Sequence, residues 1–580
     1  MNIISHYLKP LRKKLAFSLT TKTIGTLMDL LIPWILSYII DKVIPSQNIK
    51  NVILWGLAMA LCAALAFFTN VFANRTAAYV AKETTKGIRY ELYEKISYLS
   101  NSEVDRFTIP TIISRMTTDT YTIHQIVGTM QRMGIRAPLL LVGGIIVTLF
   151  LDPVLALSMI AVLPFAALLT IFVSKKGVKI YRKIQLAVDN MVRVVRENIT
   201  GVRVIKALSK ADHERERFNK VNENLTKREK NASLLMGAIN PIMSFIMNAG
   251  FVIVIVIGAH RVDVGTSEIG KIIAFMTYFT LILGALMSVT RIFTMTSKAA
   301  ASLDRIKEIL DAPKETDYYP IEEGAQNIEE DMSDDISHIE FKNVVFNYES
   351  SKFTMDNISF EIPRYGTLGI IGATGSGKST LAQLLMRFYD INEGQILINN
   401  KDIRYMSLYE LRSRFGLVFQ NDTLFKNTIK ENIDLGRNID LIEIKKAAIN
   451  AQAESFIQEA GGFEAEVAIK GMNFSGGQRQ RLLLTRALAS NPEILILDDA
   501  SSALDYKTDA LLRQALKTHY KNSTKIIITQ RISSIMQADK ILVLDKGKVI
   551  GYGSHSELLE KSNIYKEISQ SQLGGSISAR

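Results

Sequence analysis

The sequence predicts a chain with two domains suited to different solvents. The first is a six-helix α domain built for a lipid bilayer, with long helical extensions into the cytoplasm. The second is an α/β domain around a parallel sheet. Three observations predict this. About six apolar segments of membrane-crossing length fill the first half. From Ile336 onward, apolar runs of strand length alternate with helical stretches. One strand-to-helix junction carries the glycine-rich run GATGSGKS, Gly372 to Ser379.

The apolar segments lie near 15–44, 52–74, 134–151, 153–174, 233–259 and 271–294. Each is close to the roughly 20 residues that a bilayer core requires. The third begins beside Arg132 and Arg136, whose charged ends can snorkel to the interface. The 580 residues are 48% hydrophobic yet 22% charged, a mixture that suits a membrane part joined to a water-facing part. The net charge of +12 would also fit nucleic acid. Its lysines and arginines, however, gather in 75–124 and 175–232, beside the apolar helices. The expected partner is therefore membrane lipid, with no nucleic acid.

The connections near 45–51, 152 and 260–270 are short and poor in both basic residues. The positive-inside rule places the long basic segments and both termini in the cytoplasm of a multi-pass membrane protein. The lysine-, isoleucine- and asparagine-rich composition leans toward a bacterial cytoplasmic membrane. KGIRYELYEKISYL (Lys86–Leu99) and VDNMVRVVRENITGVRVIKAL (Val188–Leu208) have apolar residues at helical spacing, so the helices run on past the membrane. The lone cysteine, Cys62, rules out an internal disulfide and a cysteine metal cluster.

The stretch from Asp311 to Asp335 is acidic, contains two prolines and reads as a solvated linker. The expected domains are thus 1–310 for the membrane part, 311–337 for the linker and 338–580 for the α/β part. LGIIGA (Leu368–Ala373), EILILDD (Glu493–Asp499) and KIIIT (Lys525–Thr529) read as buried parallel strands with chemistry at their carboxyl ends.

GATGSGKS fits G-x-x-x-x-G-K-[ST], follows a strand and precedes a helical pattern. Its glycines let backbone N–H groups converge on phosphate oxygens, and the helix start adds partial positive charge. Lys378 is expected to reach the β- and γ-phosphates and Ser379 to ligate Mg²⁺. Asp498 closes an apolar strand, where an acid can hold the same ion directly or through water.

A third element, NFSGGQRQRLLLTRAL from Asn473, has no counterpart in most ATPases with such a loop. With it, nearly the whole chain resembles half-transporters of the ABC exporter type, in which six helices precede one ATP-binding cassette. In that likeness Tyr348 corresponds to the aromatic that stacks on adenine. Gly372, Thr374, Gly375, Ser376, Gly377, Lys378, Ser379 and Thr380 correspond to the phosphate loop. Gln420 corresponds to the glutamine that contacts Mg²⁺, Ser475, Gly476, Gly477 and Gln478 to the signature, and Ser502–Asp505 to the D-loop. The resemblance implies two cassettes joined head to tail, each ATP lying between one chain's phosphate loop and the other's signature.

The chain departs from the family pattern at two places in one site. Asp499 stands where the family has the catalytic glutamate, and Gln530 where it has the switch histidine. Aspartate reaches roughly 1.3–1.5 Å less, and glutamine cannot carry positive charge. ATP on this chain's own loop is expected to be held and hydrolysed slowly. The intact signature then implies a second, different half-transporter chain that supplies a competent site. Phe474 replaces a common leucine, and Ile469-Lys470-Gly471 lacks the glutamate usual before the signature.

The expected activity is ATP-driven export of hydrophobic or amphipathic compounds, of the multidrug type, by alternating access. The alternatives are a lipid or peptide exporter, a slow homodimeric ATPase, and an ATP-sensing membrane module. Coupling turns are expected near Arg115–Thr120 and Thr200–Lys206. Asp29, inside the first apolar helix, is expected to favour cationic substrates, to pair with Arg291 or to face water or a polar neighbour. Phe275, Tyr278 and Phe279 are expected to line a cavity or to pack between helices.

Overall fold

In the computed structural model, which describes residues 2–315, 337–348 and 354–573, the chain divides into two compact units. One comprises Met1–Ser97 and Phe107–Ala312; the other comprises Tyr98–Arg106 and Pro313–Arg580. Most of the acidic linker lies outside the described residues.

The first unit is helical. Its main helices are α1 (Arg12–Tyr38), α2 (Ile49–Ser97), α3 (Thr120–Met133), α4 (Arg136–Leu151), α5 (Pro153–Thr200), α6 (Ala211–Gly237), α7 (Ile239–Asp263) and α8 (Ile269–Asp311). Five helical stretches are long and apolar enough to cross a membrane: Ile4–Val43, Ile49–Ser97, Ile109–Leu151, Pro241–Asp263 and Ile269–Asp311. The shorter apolar helical stretch Pro153–Leu169 completes the six segments read from the sequence. With 49 residues and a rise of about 1.5 Å each, α2 is roughly 74 Å long, more than twice the ~30 Å hydrocarbon core.

Small residues bring the backbones together where hydrocarbon surroundings offer no hydrophobic drive. A Cβ on Gly25 would lie 2.6 Å from Thr69 Oγ1, so α1 meets α2 closely there. Phe275, Tyr278 and Phe279 are fully buried and pack between helices. Pro33 interrupts the α1 hydrogen-bond ladder, and one turn earlier the Tyr278 hydroxyl donates to the Leu30 carbonyl at 2.6 Å.

Asp29 pairs with Arg136 of α4 at 3.1 Å, not with Arg291. Its charge is compensated by a near neighbour within the bundle. Asp152 caps α5 by accepting from Val154 and Leu155 N–H, and also meets Ser267 and Arg261.

The segment Arg115–Asp119, where the first coupling turn was expected, forms a π-helical turn with Thr117 and Thr118 exposed. Arg115 and Asp119 are buried and pair with Glu308 and Arg305 of α8, which ties the turn to its own bundle. The short helix Val202–Ala207 does lie where the second turn was expected, with Val202, Val204 and the following Leu208 exposed.

The second unit has an antiparallel sheet, β2–β1–β4–β5, and a six-stranded sheet, β10–β9–β3–β8–β7–β6. The strands are β1 (Ser337–Asn347), β2 (Thr354–Pro363), β3 (Thr367–Gly372), β4 (Glu393–Ile398), β5 (Lys401–Asp402), β6 (Phe415–Val418), β7 (Ile494–Asp498), β8 (Thr524–Ile528), β9 (Lys540–Asp545) and β10 (Lys548–Gly553). From β6 to β9 the large sheet is parallel, and its apolar strands are buried as expected.

Four helices bear on the site: α9 (Lys378–Leu385), α10 (Gly476–Leu488), α11 (Tyr506–His519) and α12 (Asn563–Leu573). Tyr98–Arg106 joins this unit through concrete contacts: Glu315 N–H donates to the Tyr98 carbonyl at 2.7 Å, and Tyr389 hydroxyl to Asp105 at 2.7 Å. The helical periodicity read from the sequence ends at Leu99, within this segment.

Replacing Asp152 by alanine removes a cap and leaves Arg261 without its carboxylate. The expected loss of stability is about 1–2 kcal/mol, read as a lower thermal unfolding midpoint in detergent. Asp152→Asn keeps a capping oxygen and should lose less.

Candidate nucleotide site

The site lies at the carboxyl ends of β3, β7 and β8, where an open parallel sheet places its ligand crevice. The loop after β3 turns at Gly375 (φ +82°) and Gly377 (φ +102°), backbone angles that favour glycine. A Cβ on Gly372 would sit 2.2 Å from the Leu544 carbonyl, which explains a glycine at the strand end. Ser376 Oγ is buried in this loop without a hydrogen-bond partner among the described residues.

Lys378 opens α9 and curls back over the loop, its Nζ 2.9 Å from Gly372 O and 2.8 Å from Ala373 O. Burial lowers its basicity, while Asp498 and Asp499 oppose the shift. The Asp498 carboxyl is pushed above its usual range by burial, against the Ser379 hydroxyl and the Lys378 ammonium. Burial also raises the Asp499 carboxyl, opposed chiefly by Arg531.

A cavity of about 460 Å³ brings together Tyr348, Thr374, Gly375, Gly377, Lys378, Ser379, Thr380, Gln420, Asp498, Asp499 and Gln530, with Ile528 and Thr529 between them. Eleven of these thirteen residues were singled out from the sequence. Tyr348 is positioned by hydrogen bonds from its hydroxyl to Gln383 (2.9 Å) and with Thr380 (3.2 Å), and its ring meets Tyr389 edge-on. The oxygens of Ser379, Gln420 and Asp498 are the hard donors that Mg²⁺ takes, leaving coordination positions for phosphate and water.

Ser475, Gly476, Gly477 and Gln478 do not line this cavity. They start α10, with Ser475 and Gln478 in a reciprocal capping box and Ser475 exposed. Phe474 packs against Phe456 at 6.0 Å between ring centres, so the larger side chain is accommodated. Asp505 also lies off the cavity and caps α11 through the Thr508 N–H and hydroxyl, both at 2.9 Å.

Asp499 has φ +50°, in the left-handed region that aspartate tolerates better than most side chains. Its N–H donates to Ile528 O at 2.8 Å. Its carbonyl accepts from Gln480 Nε2 at 3.0 Å; the same amide bonds Ser502 Oγ at 2.9 Å and accepts from Ala503 N–H at 2.8 Å. Gln480 thus links the signature helix to the acid and the D-loop. On the other side, Gln572 of α12 donates to the Gln530 carbonyl at 2.7 Å and accepts from Ile532 N–H at 2.9 Å. Neither glutamine was singled out from the sequence. Gln480 sits within a helical motif and Gln572 lies 42 residues beyond Gln530, so only the fold brings either to the site.

These two units, joined in one chain with this phosphate loop, define an ATP-binding cassette fused to a membrane domain. Comparison with known proteins agrees. The model of the ABC transporter transmembrane region matches residues 15–286, and that of the ABC transporter cassette matches residues 355–502. The chain is 35% identical to the uncharacterized ABC transporter ATP-binding protein YfiB of Bacillus subtilis (strain 168), over 98% of both chains. It is 33% identical to YknU of the same organism, over 97% of this chain and 95% of that one. A solved bacterial Atm1-family ABC exporter with ATP bound shares its fold, with a TM-score of 0.77 over 98% and 99% of the two chains at 23% identity. The chain belongs to the ABC transporter family and is a multi-pass membrane half-transporter with the exporter fold.

Replacing Gln480 by alanine is expected to slow ATP turnover of the assembled transporter by roughly tenfold, about 1.4 kcal/mol of transition-state stabilisation. ATP affinity, measured by equilibrium binding, should change little. Lys378→Ala should weaken nucleotide binding at this chain's loop by at least about tenfold, as expected for loss of a charge-assisted phosphate contact, and photo-crosslinking with an azido-ATP reads it directly.

Proposed function

We propose that this chain is one half of a heterodimeric, ATP-driven exporter of hydrophobic or amphipathic compounds in a bacterial cytoplasmic membrane, with both termini in the cytoplasm. The observation that carries the heterodimer is the pairing of Asp499 and Gln530 in one cavity with an otherwise intact phosphate loop. A shortened acid and an uncharged switch residue favour holding ATP over cleaving it. A misplacement near 1 Å can cost on the order of 100-fold in rate.

In this reading Lys378 and the loop N–H groups hold the phosphates, Tyr348 faces the adenine, and Ser379, Gln420 and Asp498 hold Mg²⁺. That ion would neutralise charge between the β- and γ-phosphates. Asp499 orients water weakly. Ser475, Gly476, Gly477 and Gln478, with Asp505 of the D-loop, complete the partner's site, where most hydrolysis occurs. The exposed Ser475 hydroxyl at a helix start supports this, because such a terminus suits a γ-phosphate from another chain. ATP drives the membrane domain only if it binds the inward and outward states with different affinity.

A second reading, a slow homodimeric ATPase, is favoured by the weakened acidity of Asp499, which suits a general base. The mass of the complex drawn from its native membrane through a tag on this chain separates the two. A second polypeptide of distinct mass supports the heterodimer, and a clean dimer of this chain overturns it.

The double variant Asp499→Glu, Gln530→His should raise hydrolysis at this site by tenfold to 100-fold, on the order of what about 1 Å of reach is worth. Single-turnover cleavage of ATP trapped on this chain reads it. Asp499→Glu alone should gain less, since Gln530 still offers the γ-phosphate no group that can carry positive charge.

A further inference from the structure

The membrane unit holds charges that nucleotide chemistry does not use. Arg132 ends α3 and Arg136 begins α4, one turn apart around Gly134. Arg136 pairs with Asp29, its side chain 41% exposed, yet its Nε is buried without a hydrogen-bond partner among the described residues. Arg132 folds over Gly128, where a Cβ would meet its guanidinium at 3.0 Å, and no hydrogen bond or ion pair holds it among the described residues. Behind them Lys22 is buried, its Nζ held by Asn70 (2.8 Å) and Asn74 (3.2 Å), with Arg136, Asp29 and Arg132 as its charged neighbours. Three cations therefore share one carboxylate inside a membrane bundle, where an uncompensated charge is costly and functional by default.

The same two helices, α1 and α4, also frame a cavity of about 850 Å³. Its walls are apolar, with Leu27, Leu31, Trp34, Ile146 and Phe150 among them. None of the three cations lines it, but its α1 lining begins at Leu27 and Met28, beside Asp29, which holds Arg136. From Leu27 to Tyr38 is about 16 Å along α1 at 1.5 Å per residue, the scale of an acyl chain. At the far end the charges satisfy one another: Lys42 meets Glu268 at 2.5 Å, Lys271 meets Glu268 at 3.4 Å, and Asp41 accepts from Gly270 N–H at 2.6 Å. Among the described residues, the Arg132–Arg136 pair, beside the opposite end, keeps guanidinium donors to spare, and by the positive-inside topology that end faces the cytoplasm.

We propose that Arg132 and Arg136, backed by Lys22, recognise the anionic headgroup of a long-chain amphipath, a carboxylate or phosphate, whose chain lies in the cavity beside Trp34. Such a molecule would enter from the inner leaflet, with its headgroup already at the cytoplasmic side. The inference rests on the export reading and narrows its substrate to anionic amphipaths. Asp29 serves as a positioning residue, holding the Arg136 guanidinium by one edge.

Trp34 gives the test its readout. The full complex in nanodiscs is titrated with doxyl-stearate, with its methyl ester, and with doxyl-labelled phosphatidate and phosphatidylcholine. The Trp34 signal is taken as the fluorescence difference from Trp34→Phe. Quenching by the two anionic probes is expected at a concentration at least about tenfold lower than by the neutral ones, the scale of a charge-assisted contact. Arg132→Gln with Arg136→Gln and Asp29→Asn, which leaves no bare carboxylate, should abolish that preference. Arg136→Lys should retain part of it.

Equal quenching by stearate and its methyl ester would overturn the proposal, as would a preference that survives the triple variant. Displacement of the acyl probe by inorganic phosphate alone would overturn the amphipath and leave a free-anion site. If the probes bind as expected but no amphipath stimulates ATP turnover, the export reading fails and the lipid site stands. If neutral amphipaths stimulate turnover and anionic ones neither bind nor stimulate, export stands and this inference falls.

Discussion

The parallel pairing of β7 with β8 is the constraint on which the chemistry of this molecule depends. It sets Asp498 opposite Ile528, and the next residue, Asp499, donates its N–H to the Ile528 carbonyl. β8 in turn lies beside β3, whose end becomes the phosphate loop. A slip of one residue in either pairing would turn the acids away from Lys378 and Gln530. The strands are buried and carry branched apolar side chains at almost every position, so register is held by packing as well as by hydrogen bonds.

Around that frame, two glutamines make the site a connected object. Gln480 joins the start of the signature helix to Asp499 and the D-loop, and Gln572 joins the C-terminal helix to the backbone at Gln530. A change at the signature, such as engagement of another chain's nucleotide, would therefore reach the acid's backbone through one hydrogen bond and the D-loop through two. The positive φ of Asp499 belongs to the same arrangement. A glutamate there would gain reach and lose backbone comfort, so the shorter acid is consistent with the local geometry as well as with slow hydrolysis.

The membrane unit obeys a different constraint. In hydrocarbon, each polar group must find its partner inside the protein. Tyr278 serves the Leu30 carbonyl beside Pro33; beyond the apolar spans, Asp152 serves the start of α5, and Asp119 with Arg115 ties a π-helical turn to α8. Against this background of compensation, the spare donors of Arg132 and Arg136 stand out as capacity for something the chain itself does not supply.

The sequence by itself determined the two solvents, the six apolar segments, the parallel strands and eleven of the thirteen residues around the nucleotide cavity. These follow from hydropathy, from period, and from motifs in which neighbouring residues act together, so the information is local. Pairings between distant segments were decided only in three dimensions. Asp29 chose Arg136 over Arg291 because α1 packs on α4 at that level. Arg115 and Asp119 became buried because α8 offers Glu308 and Arg305. Tyr98–Arg106 joined the cassette unit, and Gln480 and Gln572 reached the site from the signature helix and the C-terminal helix, neither of which adjoins Asp499 or Gln530 in the chain. Charge and hydrogen-bonding capacity are written residue by residue, but which donor meets which acceptor depends on the packing of whole helices and strands.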